Sequence, residues 1–119
     1  PIGQICIAGK ELCTNQGCKT LVCFEELCNE YFYYYLKVQA NVLNMLGRGT
    51  TFLELSSRDL EDFLLLLPPL AEQKEIAAYL DKKCGDIDAL REHNKNIIES
   101  LQEYKQSLIY EAVTGKIEL

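Results

Sequence analysis

The C-terminal part of this chain, residues 68–119, carries an apolar pattern longer than one small domain needs from a single helix. Apolar side chains recur at gaps of three, four and seven residues, which is the spacing of one helix face. A helix of forty-odd residues reaches about 65 Å at about 1.5 Å per residue, so it serves as a spacer or a pairing surface. This face consists of Ile76, Leu80, Ile87, Leu90, Ile97, Leu101, Tyr104 and Leu108.

The same stretch fits a heptad repeat in which Leu80 occupies position a. The a sites are then Leu80, Ile87, Asn94, Leu101 and Leu108, and the d sites are Ile76, Lys83, Leu90, Ile97 and Tyr104. A buried Asn94 would cost stability but would select register and partner, because a misaligned Asn faces apolar groups unpaired. Lys83 can extend its ammonium group to water. We predict that the helix pairs as a coiled coil; packing on its own domain is the alternative.

The part of the chain outside this helix is small. About seventy residues remain for a globular core, which is marginal for independent stability, so we expect a partner to bury some apolar surface. The chain begins without an initiator Met, and we expect it to be a fragment of a longer protein. No apolar run approaches the ~20 residues of a membrane span.

The charge balance is acidic throughout. The net charge is −6, with 12 Lys and Arg against 18 Asp and Glu. Basic and acidic residues number five against eight in residues 1–69, and seven against ten in residues 70–119. This composition argues against binding to nucleic acid or membranes through bulk positive charge. It leaves room for site-specific DNA contact by a few loops.

The six cysteines allow three interpretations. A secreted disulfide framework would suit the even count, although a long charged helix is unusual in such a scaffold. A zinc site would need closer pairs, because the tightest spacing leaves four residues between cysteines and the single histidine, His93, lies on the predicted helix. We favour reduced, buried cysteines in a cytoplasmic protein without a cofactor. They are Cys6, Cys13, Cys18, Cys23, Cys28 and Cys84.

Residues 1–69 show an α+β pattern. Residues 30–45 have helical spacing and begin with an aromatic run that we expect to pack in the core. Ser57 is predicted to cap a short helix without a capping box, since Leu60 at the third position has no acid group. Pro68 and Pro69 end the last strand, so we place the domain boundary between residues 69 and 70. The predicted strands are residues 4–8, 11–14, 19–24, 52–55 and 63–67.

The chain contains no recognisable catalytic constellation. His93 is the single histidine, and Ser56 and Ser57 have none near them in sequence. Asp86 and Asp88 lie on different faces of the predicted helix and cannot form a carboxylate pair. The glycine-containing loops lack the spacing of a phosphate-binding fingerprint. We therefore predict a protein that is not an enzyme.

The motifs of the C-terminal half resemble one known family. LPPLAEQKEIAAYLDKKCGDIDAL, at residues 67–90, contains a PPL-x-EQ-x-x-I pattern, and SLQEYKQSLIYEAVTGKIEL closes the chain. Both are similar to the helical spacer of the specificity subunit of type I restriction-modification enzymes. CTNQGCKTLV, YFYYYLK and LGRGTTFLELSSRDLEDF, all before residue 64, resemble the second half of a target recognition domain of that family.

This resemblance implies a non-catalytic role in reading DNA. Members of the family carry two target recognition domains, each of which reads one half of a bipartite DNA site, and two spacers that pair as an antiparallel coiled coil. Methyltransferase subunits and a motor-nuclease subunit dock on them. The chain would then comprise part of one recognition domain, residues 1–69, and one spacer, residues 70–119. The implied partners are DNA, the other subunits, and a second spacer or a second copy of the chain.

Six polar residues in two loops are the candidates for DNA contact. Amide side chains can bond adenine edges, hydroxyl groups can bond phosphates, and a guanidinium suits guanine or phosphate. For the first loop the alternative is a turn that satisfies its own backbone, and for the arginine it is a solvated charge. The candidates are Asn15, Gln16, Lys19, Arg48, Thr50 and Thr51.

Two further functions remain open on the sequence. A coiled-coil interaction protein without DNA binding of its own would suit the acidic charge. A cysteine-rich redox or metal protein would be distinguished by thiol titration and metal analysis.

Overall fold

The structure of the chain, a computed structural model, describes residues 2–49 and 53–117. Within these residues four helices follow in the order α1 (Asn29–Val38), α2 (Ala40–Leu46), α3 (Ser57–Glu61) and α4 (Leu70–Val113). The chain forms two compact units, residues 1–80 and residues 81–119. The first unit contains α1, α2, α3 and the start of α4, and the second contains the rest of α4.

The predicted α+β fold is not confirmed, because the structure is mostly helical. Within the described residues, 2–49 and 53–117, the single β pairing is an isolated antiparallel bridge that joins Arg48 to Glu54. A strand needs a neighbouring strand to receive its backbone hydrogen bonds. The β-rich segments of this chain meet no such neighbour in the described ranges, so their composition alone does not make a sheet.

The helix predicted over residues 30–45 is confirmed, but it is broken at Gln39, which ends α1 and precedes α2. Leu36 of α1 and Leu43 of α2 are both buried and pack with Leu55. Burial of each such side chain contributes about 1.5–3 kcal/mol. This cluster therefore joins the two helices to the segment that precedes α3.

Two tyrosines of α1, Tyr31 and Tyr35, pack in a second cluster and also act as hydrogen-bond donors. Tyr31 is buried with Leu27 and Ala77, and its hydroxyl donates to the carbonyl of Leu66 at 2.8 Å. Burial, followed by the nearby Tyr35 and Glu72, raises the pKa of Tyr31 above its ordinary value. The prediction that these aromatic residues belong to the core is thus confirmed for Tyr31.

The segment 63–67 is held by side chains instead of sheet hydrogen bonds. The hydroxyl of Tyr35 donates to the carbonyl of Leu64 at 3.0 Å, and the hydroxyl of Tyr31 donates to the carbonyl of Leu66 in the same segment. The side chains of Leu64 and Leu66 are 87% and 72% exposed. The strand predicted here is not formed, because two tyrosine hydroxyls take the place of a neighbouring strand.

Removing the Tyr31 hydroxyl with Tyr31→Phe should lower the free energy of unfolding by about 1 kcal/mol, because the carbonyl of Leu66 loses its donor. Urea unfolding followed by circular dichroism measures this change. Tyr33→Phe is the matched control, since the Tyr33 hydroxyl accepts from Lys37 at the surface. Equal losses in the two variants would contradict a structural role for the Tyr31 hydroxyl.

The long C-terminal helix is confirmed as α4, which contains 44 residues and begins directly after Pro69. Its C-terminus has the hydrogen bonds of a Schellman motif, from the Lys116 amide to the Glu111 carbonyl at 2.9 Å and from the Gly115 amide to the Ala112 carbonyl at 3.3 Å. Gly115 has φ +72°, which glycine adopts without steric cost. The closing VTG sequence is therefore a helix stop.

None of the described helices combines the length and apolar character that a membrane span requires. The division into domains 1–69 and 70–119 stays a prediction.

Candidate nucleic-acid interface and helix-pairing face

The first predicted DNA-binding loop forms a turn. The side-chain oxygen of Asn15 accepts a hydrogen bond from the Gly17 amide at 3.1 Å, and its carbonyl accepts from the Cys18 amide at 3.1 Å. A bidentate contact of Asn15 with N6 and N7 of adenine must share its side-chain oxygen, which has a second lone pair. Gln16 and Lys19 are exposed beside the turn and can reach a ligand.

Arg48, in the second predicted loop, pairs with Glu54 in an isolated antiparallel bridge. The Arg48 amide donates to the Glu54 carbonyl and the Glu54 amide donates to the Arg48 carbonyl, both at 2.9 Å. The Arg48 side chain is 80% exposed, and its Nη2 lies 3.0 Å from Oδ1 of Asp59. Thr50 and Thr51, the other candidates of this loop, lie outside the described residues.

Asp59 is itself held by the N-cap of α3. Ser56 is the N-cap, and its Oγ accepts from the Asp59 amide at 3.1 Å and donates to Asp59 Oδ2 at 2.6 Å. The hydrogen bond from Ser56, and then the guanidinium of Arg48, hold the pKa of Asp59 below its ordinary value. The prediction of Ser57 as the N-cap was wrong by one residue. The third residue of α3 is therefore Asp59 and not the predicted Leu60.

Gln73 is the residue that the sequence interpretation missed. It is 0% exposed, and its Oε1 accepts from the Cys28 amide at 2.9 Å. Its Nε2 donates to the carbonyls of Glu26 at 2.9 Å and Pro68 at 2.8 Å. Its position in the helix could have revealed it, since Gln73 lies one turn before Ile76 and therefore on the same apolar face. Gln73 therefore joins the loop before α1, the proline pair and α4.

The predicted helix-pairing residues fall into two groups. Ile76 packs against the cluster of Tyr31 and Ala77, and Leu80 is half-buried. Asn94 is exposed. In the second unit the remaining apolar members are 44–65% exposed. These are Ile87, Leu90, Ile97, Leu101, Tyr104 and Leu108.

The cysteines do not behave as one group. Cys6, Cys13 and Cys18 are exposed, so the prediction that the cysteines are buried is wrong for these three. Burial, then Cys28 and Glu30, raises the pKa of the Cys23 thiol, which disfavours the thiolate. Among the described residues no disulfide is present, and no three metal-binding side chains of the His, Cys, Asp and Glu type lie together.

The fold and these loops can be compared with known proteins. The chain belongs to the family of the type I restriction modification DNA specificity domain, whose model matches residues 1–103. The resemblance predicted from the motifs is thus confirmed.

The individual relatives are specificity subunits of type I restriction enzymes. The EcoBI subunit of Escherichia coli is 35% identical over 106 residues, which cover 89% of this chain and 22% of the relative. The putative MjaX subunit of Methanocaldococcus jannaschii is 33% identical over 118 residues, or 98% of this chain and 27% of the relative. The MjaIX subunit of the same organism is 33% identical over 86% of this chain and 23% of the relative. The chain thus spans about a quarter of their length.

Proposed function

We propose that this chain is a DNA sequence-recognition module of a type I restriction-modification system. The observation that carries the proposal is the family match over residues 1–103, together with relatives named as specificity subunits. In this role the chain binds DNA without catalysing a reaction, and it acts in the cytoplasm. It contributes to the reading of one half of a bipartite site, while methyltransferase and motor-nuclease subunits dock on the assembly.

The surface chemistry of the first unit supports DNA contact at the two predicted loops. Arg48 presents a largely exposed guanidinium on a backbone that two hydrogen bonds hold in place. Gln16 and Lys19 are exposed beside the turn of Asn15. Because the whole chain carries a charge of −6, general attraction to phosphates is weak, and a few placed side chains must supply the affinity.

We expect the chain to enrich particular sequences from a library of DNA duplexes with a randomised segment. Arg48→Ala should weaken binding to the enriched duplex about tenfold, the effect of losing one good arginine contact. Fluorescence anisotropy over a salt series measures this loss. If Arg48 contacts a phosphate, Arg48→Ala should also reduce the slope of log affinity against log salt concentration by about one.

Arg91 provides the matched control for this variant. Its side chain is 78% exposed and pairs with one carboxylate, that of Asp88 at 3.3 Å, so it matches Arg48 in exposure and in having a single acidic partner. Arg91→Ala should leave the affinity unchanged because the proposed DNA surface lies in the first unit. Equal affinities for wild type and Arg48→Ala would reject the role of Arg48, and failure of the chain to enrich any sequence would reject the proposed function.

The helix of the second unit supports a second part of the proposal. We propose that α4 acts as a spacer that pairs with a second copy of the chain or with a matching helix. The exposed apolar residues from Ile87 to Leu108 supply the face, and Asn94 selects the register.

The second candidate function is a coiled-coil interaction module without DNA binding of its own. Two observations favour it: the acidic charge of both parts of the chain, and the exposed apolar residues of the second unit. Self-association combined with the absence of any enriched DNA sequence would favour this candidate over the first.

A further inference from the structure

Arg48 is restrained at both its backbone and its side chain. The two hydrogen bonds with Glu54 hold its backbone, and the contact of Nη2 with Asp59 holds its guanidinium. Most exposed arginines keep several rotamers, and ordering such a side chain on binding costs conformational entropy. An arginine that is already ordered loses less freedom when it meets a ligand.

The carboxylate that restrains Arg48 is fixed in turn. Asp59 is 17% exposed, whereas Arg48 is 80% exposed, so the carboxylate is the more shielded partner and the guanidinium is open to a ligand. One carboxylate oxygen meets Arg48, and the other accepts from Ser56 Oγ at 2.6 Å. Because both oxygens have partners, rotation of the carboxylate would break a hydrogen bond. Ser56 therefore sets the direction in which Asp59 holds the guanidinium.

This arrangement favours one kind of DNA contact over another. The contact with Asp59 uses one of the five N–H donors of a guanidinium and leaves the others for a ligand. Guanine presents two acceptors, O6 and N7, that a planar guanidinium meets together. The negative charge of Asp59 offsets the attraction of Arg48 for phosphate, but it leaves the hydrogen-bonding geometry intact. A fixed, charge-compensated arginine is therefore better suited to a base edge than to the backbone.

We propose that Asp59 is a positioning residue which, held by Ser56, directs Arg48 to a guanine edge. The inference rests on the proposed function, since it requires that the chain bind DNA. Asp59 then has a role in DNA sequence preference in addition to its hydrogen bonds at the start of α3.

The test compares variants of the whole chain in selection from a duplex library with a randomised segment. Wild type should prefer guanine at one base pair by roughly tenfold, the discrimination of one bidentate arginine. Asp59→Asn should lose most of this preference while its affinity for unselected duplex stays the same or rises, because a negative charge is removed. Asp62→Asn is the matched control, since it removes an equal charge just beyond α3 and leaves the pair of Arg48 and Asp59 intact.

Arg48→Lys provides an independent variant should Asp59→Asn fold poorly, which thermal unfolding would reveal. Lysine keeps the positive charge beside Asp59 but lacks the planar pair of donors, so the guanine preference should fall while general affinity is retained.

The outcomes separate the two proposals. If wild type enriches no sequence, the proposed function fails and this inference fails with it. If wild type enriches a sequence and Asp59→Asn or Arg48→Lys shows the same preference, the role of Asp59 is overturned and the proposed function stands. Loss of preference in Asp59→Asn and Arg48→Lys, with Asp62→Asn unchanged, supports the inference.

Discussion

Gln73→Ala should lower the free energy of unfolding of the first unit by about 3 kcal/mol, because each partly buried group left without a partner costs about 1–3 kcal/mol. Three backbone groups lose their partner: the amide of Cys28 and the carbonyls of Glu26 and Pro68. Water can reach these partly buried groups to some extent, which keeps the loss below the sum of three full penalties. Urea unfolding, followed by tyrosine fluorescence, measures the change, since four of the seven tyrosines lie in α1.

Two further variants test the reason for this loss. Gln102→Ala removes the same side chain from an exposed position of α4 and should change stability by less than about 0.5 kcal/mol. Gln73→Glu keeps the acceptor for Cys28 but loses the donors to Glu26 and Pro68. If Gln73→Ala and Gln102→Ala are equally stable, the hydrogen bonds of Gln73 do not stabilise the first unit as proposed.

Gln73→Glu should also make stability depend on pH. Burial opposite two carbonyl oxygens favours the neutral form of the introduced carboxyl and raises its pKa in the folded state. The folded state then binds the proton more tightly than the unfolded state, so stability is higher at low pH and is lost as the pH rises through the raised pKa. The difference between this variant and wild type should therefore widen from acidic to neutral pH.

Leu101→Lys should prevent self-association of the chain. We expect wild type to associate at tens of micromolar, because apolar residues of the second unit are exposed along one helix face. A symmetric pair loses two leucines, or about 4 kcal/mol at about 2 kcal/mol for each buried side chain, which raises the dissociation constant about a thousandfold. Analytical ultracentrifugation distinguishes the monomer from the pair.

Gln102→Lys is the control for this variant because it introduces the same charge one residue further on, outside the a and d positions. It should associate like wild type. A monomeric wild type at tens of micromolar would contradict pairing between copies, and equal association of Leu101→Lys and wild type would contradict the proposed face.

Local signals in the sequence predict the helices well, since each helical hydrogen bond joins residues four apart. Pro68 and Pro69 mark the start of α4, and the glycine of the VTG motif marks its end. The spacing of Leu36 and Leu43 identifies the buried side of α1 and α2, although the break at Gln39 was not predicted. The family was also recognisable from motifs that lie in these helical segments.

The strands were the weaker part of the prediction because a sheet depends on residues far apart in sequence. Residues 63–67 have the composition of a buried strand, yet in the structure they meet the hydroxyls of Tyr31 and Tyr35, which lie 35 and 29 residues from their acceptors. β propensity describes a side chain that suits a sheet, and it does not supply the neighbouring strand.

The sequence by itself determined the long helix, its start after the proline pair and the family, because these follow from short-range spacing and motifs. Only the tertiary structure decided that Gln73 is buried among carbonyl and amide groups up to 47 residues away, and that Asp59 lies beside Arg48. Both depend on how the backbone brings distant polar groups together. A hydrogen bond is specified by the position of its two atoms, and sequence spacing fixes that position only within a single helix or turn.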